Sequence, residues 1–342
     1  MSRPVLILDQ HFRRVDELFT AAAYARLGKL CTIVGGEDRP MPREILLEHL
    51  PEADFLIAAK PTLSSGDIAC AKKLKAVIEV AGAFHDGLDY QACFNRDIEV
   101  LSSVPGFRFA VAEMAFAMIL AGARGLVREH EAFRRGAEAW LVEHEQTDFT
   151  LYGQSIGFVG YGQIARECHR LLAPFAPKVR AYDPWLDPAS VEKQDVTLDD
   201  LDAVLECSRV LVIAASPTAE NHHLIDAAKI ELLPNAALVI LISRAHVTEF
   251  RALVQAAERG RIRLATDVFD QEPLAPSDPL RQAQNVILSP HRAAAVKGGR
   301  QPIGDMVVHD INAILRGDPS RQLKTADPRH VADLVKGQDL MA

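Results

Sequence analysis

Residues that staple or ligate are scarce in this chain. Its 342 residues include five cysteines, Cys31, Cys70, Cys93, Cys168 and Cys207, with no CxxC pair and no zinc-ligand spacing. They suit reduced, half-buried small hydrophobes of a cytoplasmic protein, and no metal site is expected. There is no basic block either. Lys and Arg number 38 against 46 Asp and Glu, a net charge of −8, which makes nucleic acid a poor partner. The most apolar helical stretch, Val111 to Ala123, carries Glu113 and looks too short and too polar to span a bilayer. No repeat of solenoid length is visible. The opening segment resembles a strand rather than a signal peptide, so a cytoplasmic location is expected. An acidic surface repels small anions, so an anionic substrate needs a local cation.

The chain does have apolar runs of strand length alternating with helix-length segments. Val5–Leu8, Thr32–Val34, Phe55–Ala58 and Ala76–Val80 form one block. A second block starts near Ser155, with strands expected at 155–159, 178–182, 210–214, 237–241, 263–267 and 286–288. This order predicts an α/β fold with parallel sheets covered on both faces. A long apolar helix, about 110–124, joins the blocks, and a final helix near 304–316 can return the chain to the first. The stretch 126–152 has no evident role. The segment 324–342 is polar with scattered apolar residues and is expected to be a tail or a partner-contacting arm.

The strongest local signal is the strand Ser155–Val159 followed by Gly160, Tyr161, Gly162, Gln163, Ile164 and Ala165. Gly160 permits a tight turn, Gly162 lets a pyrophosphate approach the backbone, and Ala165 allows close packing of helix on strand. The phosphates then meet the helix opening at Gln163. The next strand ends at Asp183, eighteen residues after Ala165, where a carboxylate can accept from both ribose hydroxyls and repel a 2′-phosphate. The pattern points to NAD.

Three polar residues follow later strands, where ligands sit in open parallel sheets. Arg244 follows 238–243, Glu272 lies before Pro273, and His291 follows Ser289-Pro290. Each alone suits a salt bridge or a turn. Together they match the chemistry of a 2-oxo acid. Arg binds a carboxylate through its fork, His donates a proton near neutrality, and a carboxylate beside the His favours imidazolium and fixes the ring.

These segments, with Ile242-Ser243-Arg244 and Asp267 through Leu274, resemble the D-isomer-specific 2-hydroxyacid dehydrogenase family over about residues 5–323. The resemblance implies two Rossmann-like or flavodoxin-like parallel-sheet domains, with the cofactor domain (104–295) inserted into a substrate domain (1–103 and 296–323). It implies that Arg244 binds the substrate carboxylate and that His291 is the general acid/base paired with Glu272. It places Asp267 near the nicotinamide carboxamide, and Gly160, Gly162, Gln163, Ile164, Asp183, Ala215, Ser216, Asn221 and Ile242 in the cofactor site. Backbone N–H groups of Gly82, Ala83 and Phe84 would assist Arg244, with the reacting groups gathered in a gap between two lobes. A homodimer joined through the cofactor domains is also implied. The chain departs from the family pattern in three places. Phe84 stands where a glycine is usual and would narrow the pocket mouth. Arg292 follows the histidine, as a second cation or as a solvent-facing side chain. Ala245-His246 replaces glycine after Arg244. The reading of a different class is a non-catalytic NAD(H)-sensing binding protein or corepressor on the same scaffold.

Overall fold

Short runs of Val, Ile, Leu and Ala can bury both faces of a strand only where helices cover both faces of the sheet. The computed structural model, which describes residues 3–144, 147–191 and 194–339, contains two such sheets. Two compact units hold them. The first runs to Arg108 and resumes at Ala294, and the second is Phe109–Ala293.

In the first unit the strands are β1 (Val5–Asp9), β2 (Thr32–Gly35), β3 (Phe55–Ala58), β4 (Ala76–Glu79) and β5 (Glu99–Ser102). Their order is β5-β4-β3-β1-β2, all parallel. Every residue of β3 and β4 is buried. One face of the sheet packs on helices Ala21–Leu30 and Pro302–Arg316, through Leu27, Ile303, Val307 and Ile311.

The segment expected to be a tail or arm is instead built into this unit. Lys324–Thr325 pairs antiparallel with β5, opposite Ser102 and Leu101. Helix Val331–Asp339 sets Val331 and Leu334 into the core with Ile7, Leu56, Val77 and Val100. The device that steers the chain there is Asp310, fully buried, which accepts the N–H groups of Gln322 and Leu323 at 2.8 and 2.9 Å. Two of the segment's apolar residues thus form one face of a nine-residue helix, which a mostly polar composition concealed. Residues 340–342 lie outside the described residues.

The second unit holds β6 (Ser155–Val159), β7 (Lys178–Tyr182), β8 (Thr197–Leu198), β9 (Val210–Ile213), β10 (Ala237–Leu241), β11 (Ile262–Thr266) and β12 (Val286–Leu288). The order is β12-β11-β10-β9-β6-β7-β8, parallel throughout. The apolar joining helix is longer than its apolar pattern suggested. A 3₁₀ turn, Val104–Phe107, runs into Arg108–Ala123, and the 20 residues together are long and apolar enough to cross a membrane by length and composition alone. It nevertheless has core-helix packing, since a Cβ on Gly122 would stand 2.7 Å from the Leu238 side chain. The stretch with no evident role contains helix Leu126–Arg134, which buries no residue and leaves Phe133 exposed, as are Trp140 and Leu141 beyond it. All five cysteines are free, but Cys70 and Cys207 are exposed rather than half-buried.

The docked C-terminal helix yields a test. Leu334 is 6% exposed, so Leu334→Ala should cost about 2–3 kcal/mol in chemical denaturation, the scale of a truncated core leucine. A solvated arm would show no change.

Candidate functional site

The chain leaves β6 toward β7 and β8 on one side, then returns to build β9 to β12 on the other. This reversal opens a crevice at the carboxyl ends of β6 and β9, where ligands of open α/β sheets sit. Gly160 stands there with φ +82°, and a Cβ on it would lie 2.5 Å from the Cα and N of Ala215. Only glycine fits between the two strand ends. Gly162 is different, because a Cβ there meets nothing within 4 Å. Open space therefore lies at the cap of helix Gln163–Leu172, whose first N–H groups have no partner within the helix. Gln163 is exposed there and Ile164 half-buried.

Asp183 follows β7. Its Oδ2 accepts the Tyr161 N–H at 2.9 Å and its Oδ1 the Trp185 N–H at 3.1 Å. Each oxygen keeps a second lone pair for a further donor. Beyond β9, Asn221 knots its own loop. It donates to the Ser216 carbonyl oxygen at 2.8 Å and accepts the Thr218 N–H at 2.9 Å. Ile242, just past β10, is buried. Helix-start donors, open space and a carboxylate at the next strand tip together fit a dinucleotide.

The charged trio lies in this same unit. His291 Nδ1 is 2.6 Å from Glu272 Oε2, and Glu272 Oε1 accepts the Phe269 N–H at 2.9 Å. Burial alone would raise the Glu272 pKa. The bonds from His291 and Phe269, with the charges of His291 and Arg244, outweigh it and hold the carboxyl below its ordinary range. Arg244 in turn is lowered by burial, against the opposing pull of Glu272 and Asp267. Arg244 and Glu272 each bear on the other's ionisation. An open cavity of about 610 Å³ adjoins the pair, walled by Phe269, Pro273, Leu274, Leu288 and Pro290.

Other expected site residues stand differently. Asp267 is not open toward a carboxamide. It is 1% exposed and accepts from Ser289 Oγ at 2.5 Å and from the N–H groups of Arg292 and Ala293 at 2.9 Å each. It braces the loop that carries His291, a residue at φ +47° in the sparsely populated left-handed region. The Arg292 side chain is exposed, the solvent-facing alternative.

The loop 81–84 also differs. The N–H groups of Ala81, Gly82 and Ala83 all turn onto the Glu79 carboxyl, with Gly82 at 2.5 Å and Ala83 at 3.0 Å, and Ser102 Oγ donates to it at 2.6 Å. Gly82 and Ala83 are therefore not the open donors expected for an outside carboxylate. Phe84 is 4% exposed and packs edge-on against Tyr90, at 6.1 Å between ring centres. It fills core in the first unit, in one cluster with Leu63 and Leu88. Sequence reasoning passed over Glu79, although an acid inside the apolar run 76–80 was a visible anomaly. Among the described residues no group of three or more His, Cys, Asp or Glu could hold a metal ion.

Residues 116–293 match the NAD binding domain model of the D-isomer specific 2-hydroxyacid dehydrogenases. The chain belongs to this family. NAD is the cofactor of that domain. Among curated relatives, a D-3-phosphoglycerate dehydrogenase of Methanocaldococcus jannaschii is 30% identical over 81% of this chain, but the match covers 53% of that protein. The chain thus spans about half the length of that relative. A glyoxylate reductase of Thermofilum pendens is 29% identical, covering 94% of this chain and 96% of its own. Among solved structures, a phosphoglycerate oxidoreductase from Rhizobium etli shares 31% identity and a TM-score of 0.83, covering 95% of this chain and 99% of its own. The family shares its scaffold with this chain. The Glu79 clamp is read from this chain alone.

Glu79 is 2% exposed, and burial pushes its carboxyl up to about 8 from an ordinary 4.5, outweighing the four donors. The unfolded chain releases this proton near 4.5 and the folded chain near 8, so the contribution of Glu79 to stability is full below 4.5 and falls as pH rises through 8. Glu79→Gln should flatten the fall of thermal stability between about pH 5 and 8. An unchanged slope would mean that Glu79 ionises normally.

Proposed function

We propose that this chain is an NAD-dependent oxidoreductase that interconverts a small 2-oxo acid and its 2-hydroxy acid. The observation that carries this reading is the His291–Glu272 contact at 2.6 Å, with the Arg244 charge acting on Glu272, in the unit that bears the Gly160 turn. NADH, when bound, supplies the hydride. The residues do the rest. Arg244 holds the substrate carboxylate, and its fixed charge raises the local concentration of anions that the acidic surface repels. Glu272 holds His291 at Nδ1, leaving Nε2 to give its proton to the carbonyl oxygen as that oxygen becomes a hydroxyl. In the reverse direction the same nitrogen removes the hydroxyl proton. The Glu272 carboxylate stabilises the imidazolium and fixes the ring. Asp183, at the strand tip, favours NAD over a 2′-phosphorylated cofactor.

A cytoplasmic homodimer fits this reading, and exposed Phe133, Trp140 and Leu141 in the cofactor unit support a second copy as the partner.

The test is NADH consumption, followed by fluorescence, with glyoxylate, hydroxypyruvate and a wider panel of 2-oxo acids. His291→Ala should lower turnover by about 10²-fold or more while NADH still binds, the scale of a lost general acid/base. Undiminished turnover would remove His291 from the chemistry. Arg244→Ala should weaken acid binding by about 1.5–3 kcal/mol, the worth of one charge-assisted bond. The measure is KM across the panel, and an unchanged KM would count against the carboxylate role.

A further inference from the structure

Two residues beyond Arg244 stands His246. It is 7% exposed. Its Nε2 lies 2.7 Å from the carbonyl oxygen of Thr218. A carbonyl oxygen only accepts, so Nε2 carries the proton and Nδ1 keeps its lone pair. That Nδ1 is buried and has no hydrogen-bond partner among the described residues. The ring sits there at the cost of an unpaired buried acceptor, which is explained if the Nε2 bond itself has a function.

The bond joins two loops. Thr218 lies in the knot that Asn221 ties through Ser216 and Thr218, where the Asn221 N–H also reaches Thr218 Oγ1 at 3.1 Å. This is the loop after β9 whose Ala215 touches the Gly160 turn. His246 lies on the turn Ala245–Val247 that opens directly after Arg244. The same two segments are joined along their backbones, His223 N–H to the His246 carbonyl at 2.9 Å and Ile225 N–H to that of Val247 at 3.1 Å. The imidazole of His222 closes over the outside, 4.7 Å from the His246 ring centre. The Glu249 carboxyl also crosses this seam, accepting the Ala227 N–H at 3.1 Å, while the His246 bond reaches the knot itself at Thr218.

We propose that His246 is a positioning residue that couples the cofactor loop 215–221 to Arg244, so that bound NADH increases affinity for the acid. Ordering the loop on the dinucleotide fixes the Thr218 carbonyl. The Nε2–H bond then holds the turn beside Arg244, and the guanidinium meets the carboxylate with less left to order. By linkage, the acid raises NADH affinity by the same factor. The proposal rests on the roles given above to Arg244 and to this loop.

The experiment is calorimetric titration of the full chain with oxamate, an unreactive 2-oxo acid analogue, in the absence and presence of saturating NADH. The wild-type chain should bind oxamate about tenfold more tightly with NADH, within the usual span of coupling between sites. His246→Leu, which fills the volume but donates nothing, should reduce that ratio to twofold or less. His246→Gln, whose amide N–H can reach the Thr218 oxygen, should restore most of it. A purely structural role would weaken both affinities and leave their ratio intact. A wild-type ratio in folded His246→Leu overturns the proposal. If that variant does not fold, His246→Asn, too short to reach, takes its place with the same two outcomes. Equal oxamate affinity with and without NADH in the wild-type chain also overturns it. Wild-type protein that binds no NADH overturns the functional reading beneath it, and this proposal with it.

Discussion

The buried carboxylate of Asp267 is the constraint on which the reactive pair depends. It sits at the end of β11 and collects donors from both sides of His291, from Ser289 before it and from Arg292 and Ala293 after it. Removing a carboxylate from water costs several kcal/mol unless donors replace the lost hydration. Three charge-assisted bonds do so here, and they also hold His291 in a left-handed conformation that a free loop would abandon. With the loop fixed, His291 has one short reach to Glu272, and Glu272 is pinned in turn by the Phe269 N–H. Neither partner could hold the other alone, because both lie in irregular backbone.

The same device recurs in the first unit. Glu79 gathers three successive N–H groups and a serine hydroxyl, and Asp310 gathers two N–H groups with His309 Nδ1 at 2.8 Å. In each case a buried acid shapes the short segment whose N–H groups it accepts. The ionisation of the acids differs with their surroundings. Burial dominates at Glu79 and raises its pKa, whereas at Glu272 cationic neighbours and hydrogen bonds prevail and lower it.

Much of this was legible in the residues. The all-buried strands announce themselves as short Val/Ile/Leu runs, and Gly160 and Asp183 mark the crevice because steric and electrostatic demands leave few alternatives there, while Gly162 keeps it open. Arg244, Glu272 and His291 were visible as chemistry following strands. The directions of loop N–H groups were not. Whether Gly82 and Ala83 point outward or onto Glu79 depends on which acceptor the folded backbone brings within 3 Å, and spacing along the chain does not encode that. Phe84 fell to the same problem, since a phenyl ring beside a glycine is a pocket wall or core depending on which side the loop turns. Strand β8 has two residues, which carry no periodicity to detect. The Val331–Asp339 helix shows two buried apolar positions, too few to stand out from polar neighbours.

In the proposed reaction an incoming carboxylate relies on Arg244. A single guanidinium is then asked both to bind the acid and to align its carbonyl with His291, and small errors in its placement cost rate as well as affinity. A side chain with that burden needs a rigid turn beneath it. Among the described residues the Arg244 guanidinium has one hydrogen bond, to the neighbouring Ser243 carbonyl at 2.7 Å. The stiffness must come from the segment that follows, Ala245–Val247, where Thr248 Oγ1 bonds back to the Ala245 carbonyl at 2.9 Å and His246 reaches across to Thr218. A buried imidazole that reaches across to a second loop makes physical sense beside such a side chain.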